Sequence, residues 1–193
     1  LAPPPAGAPP GKELPADEAL IRAVTALHAA LEKPLTDEQK KELAKRVKAV
    51  PEAVARAATE LLEAIPAALK QRERAFAKFG GADKLPAAYQ TAAALAKSYK
   101  AGADTLRMIQ DVDMAALVQG GLDLARAMDR AEKLLAKATG EKFEFAWETP
   151  IGSIALNGTQ ENTYGAKPYL IIIDTGGNDP YASAGAGLGG GTG

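Results

Sequence analysis

The chain has 193 residues, a formal net charge of −1, no cysteine, 47% hydrophobic residues and only 5% aromatic ones. The near-neutral charge gives no electrostatic basis for binding nucleic acid or an anionic membrane, and the lack of cysteine excludes disulfides, thiolate catalysis and Cys-type zinc sites. No apolar run reaches the ~18 residues of a membrane span, and the length allows one large domain or two small ones.

Residues 1–15 hold six of the thirteen prolines, with Ala and Gly between them. This composition predicts an exposed, flexible Pro-rich leader. Such a leader often follows a removed signal peptide or lipid anchor, so a periplasmic or secreted location is expected.

Residues 16–140 read as helical. Asp17 is placed to cap a first helix that runs to about Lys33, with Leu20, Val24, Leu27 and Leu31 on one stripe. Thr36-Asp37-Glu38-Gln39 has the form of a capping box, and the helix it opens presents Leu43 and Val47. Pro51 suits the first turn of the next helix, whose apolar face uses Val54, Leu61, Leu62, Ile65 and Leu69. Pro66 is expected to kink or split that helix, and Gly80-Gly81 to close it. A helical stretch from about Leu85 to Thr139 follows. Gly102 and the pair Gly120-Gly121 are its expected breaks. Leu106, Ile109, Leu117, Val118, Ala125, Met128 and Leu135 are expected on its buried side.

The composition changes near Gly140. Residues 1–140 carry 21 basic and 18 acidic side chains, residues 141–193 carry 2 and 6, and eleven of the nineteen glycines fall in that last part. Phe143-Glu144-Phe145-Ala146-Trp147 alternates with the period of a half-buried strand. Leu170-Ile171-Ile172-Ile173 is continuous and β-branched, as in a strand buried on both faces. A repeat ties this region together. Ile154 to Tyr164 aligns with Ile171 to Tyr181 at an offset of 17 residues, without a gap. Asn157 falls on Asp174, Asn162 on Asp179 and Tyr164 on Tyr181.

A repeat of this kind suits stacked coils, with the apolar triplets in the strands and the Asn/Asp positions in the turns. The expected fold class is therefore α+β: an N-terminal all-α helical bundle (16–140) followed by the first coils of a Gly/Asp-rich β-solenoid (141–193). Stacked turns would bring Asn157 over Asp174 and Asn162 over Asp179. Asp174, Asn178, Asp179, Asn157 and Asn162 are then candidate calcium ligands as well as turn formers.

The segment Gly176-Gly177-Asn178-Asp179-Pro180-Tyr181 resembles the Gly-Gly-x-Gly-Asn-Asp repeats of RTX-like calcium-binding β-rolls. It departs from them in lacking a nine-residue period and in carrying Pro180. It is closer to exported bacterial proteins built from Asp-x-Gly-Gly-Asn-Asp-x-Tyr units. That resemblance covers about residues 151–193, and it implies a solenoid that continues elsewhere. Ile171-Ile172-Ile173-Asp174-Thr175-Gly176 also resembles the Asp-Thr-Gly signature of aspartic proteases. In that family Asp174 would be one of two carboxylates sharing a proton. The aligned tripeptide Asn157-Gly158-Thr159 offers no second one.

The functional expectation is a non-enzymatic structural or interaction segment of an exported protein, in which the helical part caps or docks a solenoid. Its partner would be the C-terminal remainder of the same precursor, released by cleavage, or another protein subunit. The competing expectation is a hydrolase, of the Asp-Thr-Gly type or self-processing, with its catalytic part beyond Gly193. His28, the only histidine, has no metal or triad context and is expected to be structural.

Overall fold

In the computed structural model of the chain, residues 14–79, 110–138 and 140–182 are described. The expected break at Gly102, the closing pair Gly80-Gly81 and the apolar residues Leu106 and Ile109 lie outside them. Among the described residues four long helices and three strands follow in the order α1 (Ala16–Ala30), α2 (Asp37–Val47), α3 (Glu52–Ala75), α4 (Met114–Leu135), β1 (Glu144–Thr149), β2 (Gly152–Asn157) and β3 (Tyr169–Asp174). Two compact units divide these residues. One takes those before 60 and after 132, and the other takes 60–132.

In the first unit, α1 starts behind Pro15, and Asp17 sits in its first turn rather than at the cap. There it still faces the positive end of the helix dipole. The capping box of α2 forms in full: Gln39 N–H donates to the Thr36 hydroxyl, and Thr36 N–H donates to the Gln39 side chain. Leu20, Val24 and Leu27 of α1, Leu43 and Val47 of α2 and Val54 of α3 are fully buried, as are Phe145, Ile154 and Leu156 of the sheet. His28 links helix to sheet. Its Nδ1 faces the Lys33 carbonyl at 3.1 Å, and its Nε2 faces the Trp147 indole N–H at 3.2 Å. A carbonyl only accepts and an indole only donates, so the ring is neutral with its proton on Nδ1. Arg46 of α2 donates to the Ala146 carbonyl and lies over the Trp147 ring.

In the unit 60–132, Pro66 lies inside α3, which runs through it unsplit. Gly120 and Gly121 likewise fail to break α4. A Cβ at Gly120 would stand 3.1 Å from Gln71 Cβ and 3.5 Å from the Ala68 carbonyl, so this glycine permits a close approach of α4 to α3. That approach also decides which side of α4 is buried. Ala116, Gly120, Ala127 and Ala131 face inward, while Leu117, Val118 and Met128, expected inside, are exposed. Small side chains win the contact because they let the helix axes come together. Arg130–Glu60 and Arg74–Asp113 ion pairs flank it.

The sheet corrects the expected fold class. Its order is β1-β2-β3, with β1 antiparallel to β2 and β2 parallel to β3. No solenoid and no bundle-plus-solenoid is formed among the described residues. The reason is local. Pro150-Ile151 turns the chain back as a hairpin, aided by Gly152 at φ +135° and by the Thr149 hydroxyl donating to the Gly152 carbonyl at 2.6 Å. The hairpin occupies the edge of β2 on which a preceding coil would stack. The Leu170–Ile173 run is not buried on both faces either. Ile171 and Ile173 are buried, and Leu170 and Ile172 are half-buried.

Candidate functional site: the repeat interface under the crossover

The two copies of the repeat meet residue for residue. Ile154 pairs with Ile171, Ala155 with Ile172, Leu156 with Ile173 and Asn157 with Asp174. Tyr164 and Tyr181 form an isolated parallel bridge, through Tyr164 N–H to the Pro180 carbonyl and Ala182 N–H to the Tyr164 carbonyl. Asn162 N–H donates to the Asp179 carboxylate.

The connection from β2 to β3 (158–168) folds across one face of the sheet. By register, that face carries Glu144, Ala146 and Glu148 of β1 with Asn157, Ala155 and Ser153 of β2. Tyr164 descends from the connection and is buried, 2% exposed. Its hydroxyl donates to Asp174 Oδ2 at 2.6 Å and accepts from Asn157 Nδ2 at 2.8 Å. Burial, and next the hydrogen bond to Asp174, hold the Tyr164 hydroxyl well above the usual tyrosine range. The Tyr164 ring stacks on Tyr181 at 4.6 Å between centroids and meets Tyr169 edge-on at 5.9 Å. At the far end, Glu148 accepts from Lys167 at 2.7 Å and from Ser153 at 2.6 Å. These two bonds hold its carboxyl below the ordinary value.

Glycines fit the copies together. Gly158, after β2, passes so close to the segment leading into β1 that a Cβ would stand 2.1 Å from the Glu141 carbonyl and 2.7 Å from Phe143 N. Its N–H continues the ladder to the Phe143 carbonyl, so Asn157-Gly158 extends the pairing rather than turning a hairpin. In the second copy Gly176 (φ +154°) lies against Thr159, and Gly177 (φ +125°) against the Gln160 carbonyl. Thr159 and Gln160 are the aligned residues of the first copy.

The candidate calcium residues also make contacts within the chain. Asp174 Oδ1 accepts from Gly176 N–H at 3.1 Å, and Oδ2 accepts from Tyr164. Asp179 accepts from Asn162 N–H, and Asn178 is exposed. No group of three or more His, Cys, Asp or Glu side chains gathers among the described residues. The carboxylates are thus engaged by internal donors. The side-chain oxygens of Asn157 and Asn162 are not: both are sealed from solvent and have no hydrogen-bond donor. As for the protease signature, Asp174 is met by a tyrosine hydroxyl and a main-chain N–H, and across the strand pair stands the amide of Asn157.

The alignment of the repeat named Asn157, Asn162, Tyr164 and Asp174 but gave no sign of how they connect, nor of Glu144 opposite Asn157. The complementary placement of Gly176-Gly177 against Thr159-Gln160 was the available signal. No helix among the described residues is long and apolar enough to cross a membrane. Comparison with protein-family models, curated proteins and solved structures gives no match.

Proposed function

We infer that this chain is a non-enzymatic interaction module that takes up an extended segment of a partner polypeptide at the free edge of β3. The carrying observation is the position of that strand. Among the described residues β3 pairs on one side only and is the last strand of the sheet, and Tyr181 beside it presents half of its surface to solvent. An unpaired strand edge is a template for another strand, with main-chain bonds supplying affinity and side-chain pockets supplying register. The face already bound to β2 supports the kind of segment expected. A strand with an apolar triplet, an Asn or Asp after it and a Tyr seven residues further docks there in parallel register. A partner segment of the same chemistry, from another subunit or from the precursor of this chain, matches the outer edge. An extracytoplasmic setting belongs to the same proposal and rests on the Pro/Ala/Gly leader.

The test is titration of the ¹⁵N-labelled chain with a synthetic peptide of residues 169–181. The expected result is saturable shifts in the amides of 169–181, with slowed hydrogen exchange along β3 and weaker binding by Tyr181→Ala. Shifts confined to the helices, or none at millimolar peptide, would reject the reading.

A further inference from the structure

The face under the crossover also borders a half-open cavity of about 300 Å³, with Glu144 and Ala146 at its exposed side, that the strand-addition reading does not use. Ala146 and Ala155 line it, and their short side chains leave the space. Glu144 and Asn157 stand across from each other in the β1–β2 register, and both line the cavity, as does Asn162.

The oxygens there are unusual. Asn157 is 5% exposed, and its Oδ1 has no donor. Turning the amide over gives no relief. The Tyr164 hydroxyl has one proton, and that proton goes to a carboxylate of Asp174, which only accepts. The hydroxyl oxygen must then receive the N–H of Asn157, which leaves Asn157 Oδ1 as the unpaired end. Asn162 Oδ1 is equally buried and unpaired. Of the nearby donors, one Asn157 Nδ2 hydrogen goes to Tyr164, Asn162 N–H to Asp179 and Lys167 Nζ to Glu148, while Thr163 and Tyr169 also line the cavity. Two amide oxygens and the Glu144 carboxylate remain. Two buried amide oxygens without a hydrogen-bond partner and a carboxylate on the same cavity are the hard oxygen ligands that suit a cation.

We propose that Asn157 Oδ1, Asn162 Oδ1 and the Glu144 carboxylate form a site for a small hard cation, Ca²⁺ in the first instance, with water completing its shell. The site is separate from the carboxylates of Asp174 and Asp179. Only one of its ligands is charged, so its affinity belongs at the weak end of calcium sites, with Kd on the order of 10⁻⁴ to 10⁻³ M.

Thermal unfolding of the full chain, stripped with chelator and then titrated with CaCl₂ against NaCl of matched ionic strength, tests this. CaCl₂ is expected to raise Tm saturably, with the unfolding constant falling about tenfold at ten times Kd. Glu144→Gln and Asn162→Ala leave the Asn157–Tyr164–Asp174 bonds in place. Both are expected to keep the circular dichroism spectrum and to lose most of the calcium response. No rise beyond the NaCl control would overturn the proposal and assign the two oxygens to water. A rise undiminished in either variant would also overturn it, by placing the ion elsewhere.

Discussion

The two copies of the repeat share a pattern but not an environment. The first, 154–164, lies between β1 and the second copy, and its Asn157 and Tyr164 are almost wholly buried. The second, 171–181, is the sheet edge, where Asp174 is half-buried and Tyr181 half-exposed. The chemistry follows the burial. A neutral amide occupies the inner position and a carboxylate the outer one, because a buried charge costs far more than a buried amide that keeps a hydrogen bond. The glycines follow it too. Gly158 serves the crowded inner copy, and Thr175 stands at the aligned outer position, where its hydroxyl has room to donate to the Asn157 carbonyl at 3.3 Å.

The sharpest way to break this contrast is to change the corresponding residue of each copy to alanine. Gly158→Ala drives a Cβ to within 2.1 Å of a main-chain oxygen, where no side-chain rotation helps. Its cost is expected at or beyond about 3 kcal/mol, the upper range for overpacking, read as a lowered urea midpoint. Thr175→Ala loses one half-buried hydrogen bond and is expected to cost about 0.5–1.5 kcal/mol. Equal costs would mean that the two copies are equally constrained.

Exchanging the polar residues is the next largest effect. Asn157→Asp puts a carboxylate in the buried position beside a tyrosine whose proton already belongs to Asp174. A loss of roughly 2–4 kcal/mol is expected at pH 7. Burial raises the new carboxyl's folded value above the unfolded one of about 3.9. The variant is therefore closest to wild type in acid and loses stability as pH rises through that window. Asp174→Asn leaves Tyr164 an amide oxygen to donate to and is expected to cost only about 1 kcal/mol. Urea titrations at pH 4 and pH 7 separate the two.

Sequence reasoning went furthest where contact is local or maps one residue onto its copy. The capping box of α2 needs only Thr36 and Gln39, three residues apart. The alternation over Phe143–Trp147 put Phe143 and Phe145 inside. The 17-residue alignment coincides with the β2–β3 register because in-register parallel pairing joins each residue to its counterpart. Reading onward from one such pair to a solenoid fails, because Thr149-Pro150-Ile151-Gly152 turns the chain back as a hairpin and two copies do not distinguish a coil from a single strand pair. The inward side of α4 was misread for a different reason. That helix carries two stripes, one of large and one of small apolar residues, and only the closeness of α3 at Gly120 selects the small one. The site was partly visible. Asn157, Asn162 and Asp174 were named from the repeat, but the hydroxyl of Tyr164 that joins two of them depends on the path of the connection over the sheet.

The two tyrosines give the finest measure of the contrast between copies. Tyr164→Phe removes one oxygen and leaves Asp174 Oδ2 and Asn157 Nδ2 without their partner in a buried setting, for an expected loss of about 1–3 kcal/mol. Tyr181→Phe keeps the ring stack on Tyr164 and alters a hydroxyl on a half-exposed residue, so its expected change is within about 0.5 kcal/mol. The pH dependence separates them further. The folded protein keeps the Tyr164 proton at a pH where an unfolded tyrosine, with its ordinary value of 10.0, has released it. The folded state then binds more protons than the unfolded state, so stability is full below pH 10 and falls as pH rises beyond it. Tyr181 is raised in the same direction, by burial first and then by the charges of Asp174 and Asp179, so it adds to the same decline. Unfolding free energies measured from pH 8 to pH 11 should decline in the wild type and decline less steeply in Tyr164→Phe. Tyr181→Phe should remain nearer the wild-type slope. An unchanged slope in Tyr164→Phe would mean that its hydroxyl is open to solvent, and the buried inner copy would lose its central bond.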